Sequence, residues 1–181
     1  MTRFRLVVLL FMGLLFVPGV SLAGKGMVPM SIKRVMLVND APAVLLVDRE
    51  EESFLLVFID FFMANSIRMG MEAPSLDRPL THDLMGIFLR QLGANLKRVD
   101  ITELKNNTYY ALITLEMKGK FSQFDARPSD ALALAVRNRT PIFVKTGLLH
   151  RFDQDPPADE NKPQTEPKNP PGKPDRKKAR T

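Results

Sequence analysis

The sequence contains no cysteine. That excludes a disulfide framework, a thiolate metal site and a lipid-anchored cysteine. It also contains no Gly-rich phosphate loop, no His-Glu-x-x-His helix and no Gly-x-Ser-x-Gly elbow, so function classes built on those motifs have no support. No apolar run reaches the ~20 residues that a membrane-spanning helix needs. A strong charge excess is missing from the middle of the chain. Residues 27–150 hold 15 Lys/Arg and 14 Asp/Glu, against three and none in residues 1–26 and eight and six in residues 151–181. The formal net charge of +6 therefore belongs mostly to the ends. The middle lacks the strong basic footprint expected of a nucleic-acid binder.

The ends have their own character. Arg3 and Arg5 precede the apolar run Leu6–Val17, followed by Pro18-Gly19 and then Ser21-Leu22-Ala23. This is the charged start, short apolar core and small-residue cleavage site of a secretory signal, predicting a signal peptide over 1–23 and a mature chain from Gly24. An uncleaved anchor is the alternative. Cleavage leaves no transmembrane segment and an exported protein, periplasmic or secreted. At the other end, residues 151–181 hold seven of the 14 prolines and almost no large apolar side chains. Such a segment cannot offset its ordering entropy and is expected to be disordered.

With 45% hydrophobic residues in 181, the chain has room for one well-cored domain. After a linker at 24–31, that domain is expected over 32–150. Ile32–Val38, Ala43–Val47 and Phe54–Ile59 read as strands, with Asn39-Asp40 as a turn between the first two. Asp60–Met71 has helical length and ends near Gly70, with Phe61, Phe62 and Met63 expected in the core. Thr81–Leu92 reads as a mostly enclosed helix with Thr81 as N-cap and Gly93 as its stop. Asn95–Glu103 and the alternating run from Tyr109 form a hairpin across Lys105–Thr108, and Phe121–Ala126 follows. A helix entered at Pro128 is apolar on nearly every face from Ala131 to Val136, so protein must cover it. Pro141–Val144 is a last short strand. Hairpins with about three helices predict an α+β domain on a largely antiparallel sheet.

Two stretches share one construction. Arg78-Pro79-Leu80-Thr81-His82-Asp83-Leu84 and Asp125-Ala126-Arg127-Pro128-Ser129-Asp130-Ala131-Leu132-Ala133-Leu134-Ala135 each put an Arg-Pro pair and an Asp at the entry of an apolar helix. Each Asp lies where a negative charge suits a helix N-terminus. Together with Val99, Ile101, Tyr109-Tyr110-Ala111 and Pro141–Val144, these segments resemble the bacterial and plant bifunctional nuclease family over roughly Val35 to Val144. The family pattern carries a Gly and then a Glu-Ala pair ahead of the first Arg-Pro. This chain has Asp60 and Met63-Ala64 there.

The resemblance implies a nuclease of broad specificity acting on RNA and/or DNA, with metal assistance. Asp83, Asp125 and Asp130 are then candidate ligands for Mg²⁺ or Mn²⁺, hard cations that prefer oxygen. His82, Asp83 and Asp125 are candidate catalytic groups, and Arg78 and Arg127 can hold phosphate bidentately. The other reading is an exported, non-catalytic binding domain whose Arg/Asp cluster serves the fold. Between these, Arg127 and Asp130 are expected to form a partly buried structural pair, and His82 and Asp83 to lie at a functional edge. His150 borders the tail and is expected to be solvated. Self-association of the domain stays open.

Overall fold

The computed structural model describes residues 26–154; the signal-peptide reading and the tail beyond 154 lie outside them. Eight strands form one sheet: β1 Met27–Val38, β2 Ala41–Val47, β3 Ser53–Phe58, β4 Ala94–Lys105, β5 Thr108–Met117, β6 Lys120–Ala126, β7 Ile142–Lys145 and β8 His150–Arg151. Three helices accompany them, α1 Phe61–Glu72, α2 Thr81–Gln91 and α3 Pro128–Asn138. The spatial order is β6-β5-β4-β7-β1-β2-β3-β8, and every neighbouring pair is antiparallel except β4 with β7. The expected α+β domain with a largely antiparallel sheet is what forms.

Local chemistry sets the hairpins. Asn39-Asp40, Asn106-Asn107 and Lys118-Gly119 all have positive φ, and each pair joins strands paired directly across it. Two central residues in the left-handed region twist a hairpin in the same sense as its strands. β1 belongs to both halves of the sheet. Met27–Met30 pair with β7, Ser31–Val38 pair with β2, and the register shifts between Ile32 and Arg34. The sheet thus takes in Met27–Ser31, within the stretch expected as linker.

The core lies on the helix-facing side of the sheet, where Val44, Leu46, Leu55, Val57, Val99, Ile101 and Val144 meet Ile67 of α1 and Ala131, Leu132, Ala133 and Ala135 of α3. Helix α3 is enclosed as its sequence requires, every residue from Ser129 to Ala135 being buried except Asp130. A smaller cluster of Leu45, Val47 and Phe54 occupies the opposite face and takes in Phe152, whose ring centroid lies 4.6 Å from that of Phe54. Ordered packing therefore reaches just past the boundary drawn at residue 150.

Three local readings need correction. Phe61 and Phe62 are 63% and 89% exposed, whereas Met63 enters the core; only one side of α1 meets protein. Helix α2 is not enclosed either. It has only His82 and Gly86 buried, while Leu84, Met85, Phe88 and Leu92 are exposed. A four-residue step places His82 and Gly86 on one narrow stripe, leaving most of the apolar surface outward. The N-cap of α2 is Leu80 rather than Thr81, and the Asp83 carboxylate accepts the Leu80 N–H at 3.0 Å.

Gly70 does not end α1, which continues to Glu72 and closes with Ala73 at φ 44°. Its role is close approach. A Cβ at Gly70 would lie 2.5 Å from Val136 Cγ2 and 2.7 Å from Arg137 Nη1, so α1 and α3 touch through a bare backbone. Replacing a helical Gly by Ala normally gains up to ~1 kcal/mol of propensity. Here Gly70→Ala is expected to lower stability by about 1–3 kcal/mol, because overpacking outweighs propensity. Urea unfolding measures it, and a stabilised variant would mean that the two helices have room to separate.

Candidate functional site

The three helices meet at His82. Entering α2 just after its N-cap, His82 is 8% exposed and reaches between α1 and α3. Its Nδ1 lies 3.1 Å from Ser66 Oγ on α1, and its Nε2 lies 3.3 Å from Asp130 Oδ1 on α3. Asp130 in turn accepts from Arg127, Nε to Oδ2 at 2.7 Å and Nη2 to Oδ1 at 3.3 Å. One hydrogen-bonded series, Ser66–His82–Asp130–Arg127, thus ties all three helices together. An ionised carboxylate only accepts, so in the neutral ring Nε2 carries the proton toward Asp130 and Nδ1 is left as the acceptor of the Ser66 hydroxyl. Burial pushes the Asp130 carboxyl up, but the hydrogen bonds from Arg127 and His82 and the Arg127 charge outweigh it and hold it below the ordinary range. The stability that this charge contributes is present at neutral pH and lost as pH falls through that lowered value.

The Arg127–Asp130 pair was expected to be partly buried, which holds for Asp130 but not for Arg127. The Arg127 side chain is 70% exposed and that of Asp130 31%. The more enclosed ion pair at the helices is a different one: Arg137 of α3, its side chain 7% exposed, donates Nε to Asp83 Oδ1 at 2.5 Å and Nη1 to the Ala133 carbonyl at 3.0 Å. Asp83 is therefore a joint between α2 and α3. Both of its oxygens are engaged, one by Arg137 and the other by the Leu80 N–H.

The third carboxylate stands apart. In β6, Ala126 pairs with Ala111 on the helix-facing side, while Asp125 pairs with Leu112, and alternation turns Asp125 to the far face. Asp83, Asp125 and Asp130 are not a common ligand set for Mg²⁺ or Mn²⁺. Two of them are held by arginines and the third lies across the sheet. Among the described residues no group of three His, Asp or Glu side chains is placed to hold a metal ion. The position where the family pattern has Glu is no substitute, since Met63 is 8% exposed within the core. Asp60 caps α1 instead, its Oδ1 accepting the Met63 N–H at 2.8 Å.

Beside His82 opens a cleft of about 1000 Å³ between the C-terminal end of α1, the loop before α2, the inner side of α2 and the end of α3. Arg78, Arg90, Arg137 and Arg139 line it with His82, and Asp83 is its one carboxylate. Arg78 and Arg139 are exposed, and no hydrogen bond or ion pair holds either side chain among the described residues. A domain close to neutral overall thus concentrates positive charge where its helices end. The sequence contains the signal, since Arg90 and Arg137 occupy the last turns of two helices, but not that those ends share one cleft. Ser66 was missed for the same reason.

The sequence model of the bifunctional nuclease domain matches residues 44–156. The chain belongs to that family. An uncharacterized protein of Mycobacterium tuberculosis is 34% identical over 116 residues, covering 64% of this chain and 69% of that protein. Bifunctional nuclease 1 of Arabidopsis thaliana is 29% identical over 113 residues, covering 60% of this chain but 35% of its own length. Bifunctional nuclease 2 of the same plant is 30% identical over 120 residues, covering 63% and 36%. The chain thus corresponds to about a third of each plant protein. As a bifunctional nuclease domain it keeps both Arg-Pro segments, and the fold places them side by side at His82 and Asp130.

The exposure of the two ion pairs exchanges the stability roles expected of Arg127 and Asp83. Arg137→Met leaves Asp83 facing an apolar wall and is expected to cost about 2–4 kcal/mol, below the range for a fully buried pair because Asp83 keeps some water. Arg127→Met removes an exposed partner and should barely move the melting temperature. Thermal melts of the two variants side by side check this. Equal losses would show that Arg127 is as structural as Arg137.

Proposed function

We propose that this chain is an exported nuclease that hydrolyses phosphodiester bonds in RNA and/or DNA, with His82 at its reacting centre. The observation that carries the reading is the Ser66–His82–Asp130–Arg127 series, in which His82 lines the arginine-rich cleft and Arg127 ends the series as an exposed guanidinium. Phosphodiester hydrolysis needs a base for water, positive charge on the phosphoryl oxygens and a fixed geometry. Asp130 holds His82 in the tautomer whose Nδ1 takes up a proton, and the Ser66 hydroxyl relays that proton from water. Arg127 spends Nε and Nη2 on Asp130, leaving Nη1 for a phosphoryl oxygen. Arg78 and Arg139 steer the backbone into the cleft. Export rests on the signal-like residues 1–23.

A second reading keeps the cleft and drops the chemistry. A domain that binds a polyanion without cutting it has the same arginines, and the use of Asp83 and Asp130 in ion pairs suits it. Cleavage decides between them. Labelled single- and double-stranded RNA and DNA are incubated with the mature chain and with His82→Gln, Ser66→Ala and Arg78→Ala, folding being checked by circular dichroism. His82→Gln is expected to lose about 10²-fold or more in rate. Ser66→Ala should slow the rate, and Arg78→Ala should weaken binding and flatten its salt dependence. Binding without cleavage by the parent chain would establish the second reading, and full activity in His82→Gln would displace the reacting centre from His82.

A further inference from the structure

A second cavity, of about 770 Å³, lies at the N-terminal end of α3, between β3 and the tip of the β4–β5 hairpin. It shares no lining residue with the arginine cleft. Its walls are apolar and aromatic, from Phe54, Leu56, Phe58, Leu104 and Tyr109. At its polar end the fold leaves hydrogen-bond donors unused. Ser129 is 8% exposed and lines the cavity, and its hydroxyl has no hydrogen-bond partner among the described residues. Pro128 brings no N–H. The N–H groups of Ser129 and Asp130 precede the first bond of α3, from the Ala131 N–H to the Arg127 carbonyl at 3.0 Å, and no side chain caps that end.

A phosphate is the usual guest of a helix N-terminus. Here the fixed charges oppose one. Asp60 lines the cavity and Asp130 stands in the first turn, and among the described residues lining the cavity Arg127 is the one Lys or Arg. An uncharged, flat ligand with an acceptor edge answers the same donors without that repulsion. A carbonyl oxygen has two lone pairs and can accept two of the donors together, whereas an aromatic ring nitrogen has one. Phe58, which is exposed, and the part-exposed Tyr109 give a flat heterocycle a stacking surface.

We propose that this cavity seats one nucleobase of the substrate strand and favours bases with a ring carbonyl over adenine, which has none. The proposal deepens the nuclease reading and rests on it for the identity of the ligand. Arg127 borders the cavity and also holds Asp130, so a base seated there brings its own phosphate to the Arg127 end of the His82 series.

Uridine and adenosine, nucleosides without phosphate, are the probes, titrated into the full mature chain and followed by two-dimensional NMR. Saturable uridine binding is expected, with adenosine weaker by about fivefold, the worth of roughly one hydrogen bond. Ser129→Ala should bring uridine down to the adenosine level, and Phe58→Ala, at the exposed rim, should weaken both. No saturable binding, or equal affinities that Ser129→Ala leaves unchanged, overturns the proposal. Uridine binding by a chain that cuts neither RNA nor DNA would instead overturn the nuclease reading and leave the nucleobase site standing.

Discussion

One imidazole joins the three helices of this domain. His82 is contributed by α2, and its two ring nitrogens meet Ser66 on α1 and Asp130 on α3. Neither contact is exchangeable for bulk water at low cost, because the ring is 8% exposed and a buried polar atom without a partner costs about 1–3 kcal/mol. The same two contacts that seat the ring also decide which nitrogen is free to take a proton. Structure and chemistry therefore draw on one set of hydrogen bonds, and the helices cannot shift without changing both.

The sheet and α3 make that arrangement rigid. Helix α3 is covered on nearly all sides by strands and by the other two helices, so Asp130 and Arg137 are presented from a fixed element. Gly70 lets α1 come down onto α3, whereas a Cβ at Gly86 of α2 would make only ordinary contact with the Asn138 amide, at 3.4 Å. Close helices bring Asp83 within reach of Arg137, and that enclosed pair fixes the direction of α2. The arginines that complete the cleft are carried by the ends of those same helices and, for Arg78, by the loop before α2.

Much of this architecture can be read from the chain. Period-two alternation gives β5, the Asn-rich turns give two hairpins, and the apolar run after Pro128 gives a buried helix. Legibility fails where an outcome depends on which side of an element meets protein. Leu84, Met85 and Phe88 look like core residues but lie outward, because α2 touches α3 along a stripe set by His82 and Gly86. Phe61 and Phe62 fail for the same reason, while Met63 beside them is buried. At the candidate site, Arg127–Asp130 was legible because its partners are three residues apart. Asp83–Arg137 and His82–Asp130 were not, since 54 and 48 residues separate their partners. Local spacing carries no information about such pairs. The acid count was misleading for a related reason, as nearly equal numbers of charges conceal four arginines drawn into one cleft.

The central claim is that Asp130 and Ser66 hold His82 in a single tautomer at the meeting point of the helices. Nitrogen-15 NMR of histidine-labelled protein at neutral pH reads this directly, since protonated and bare ring nitrogens have well-separated shifts. The account predicts that His82 carries its proton on Nε2 with Nδ1 bare, and that Asp130→Asn abolishes this preference. A proton resident on Nδ1, or a freely averaging ring with two equivalent nitrogens, would contradict it.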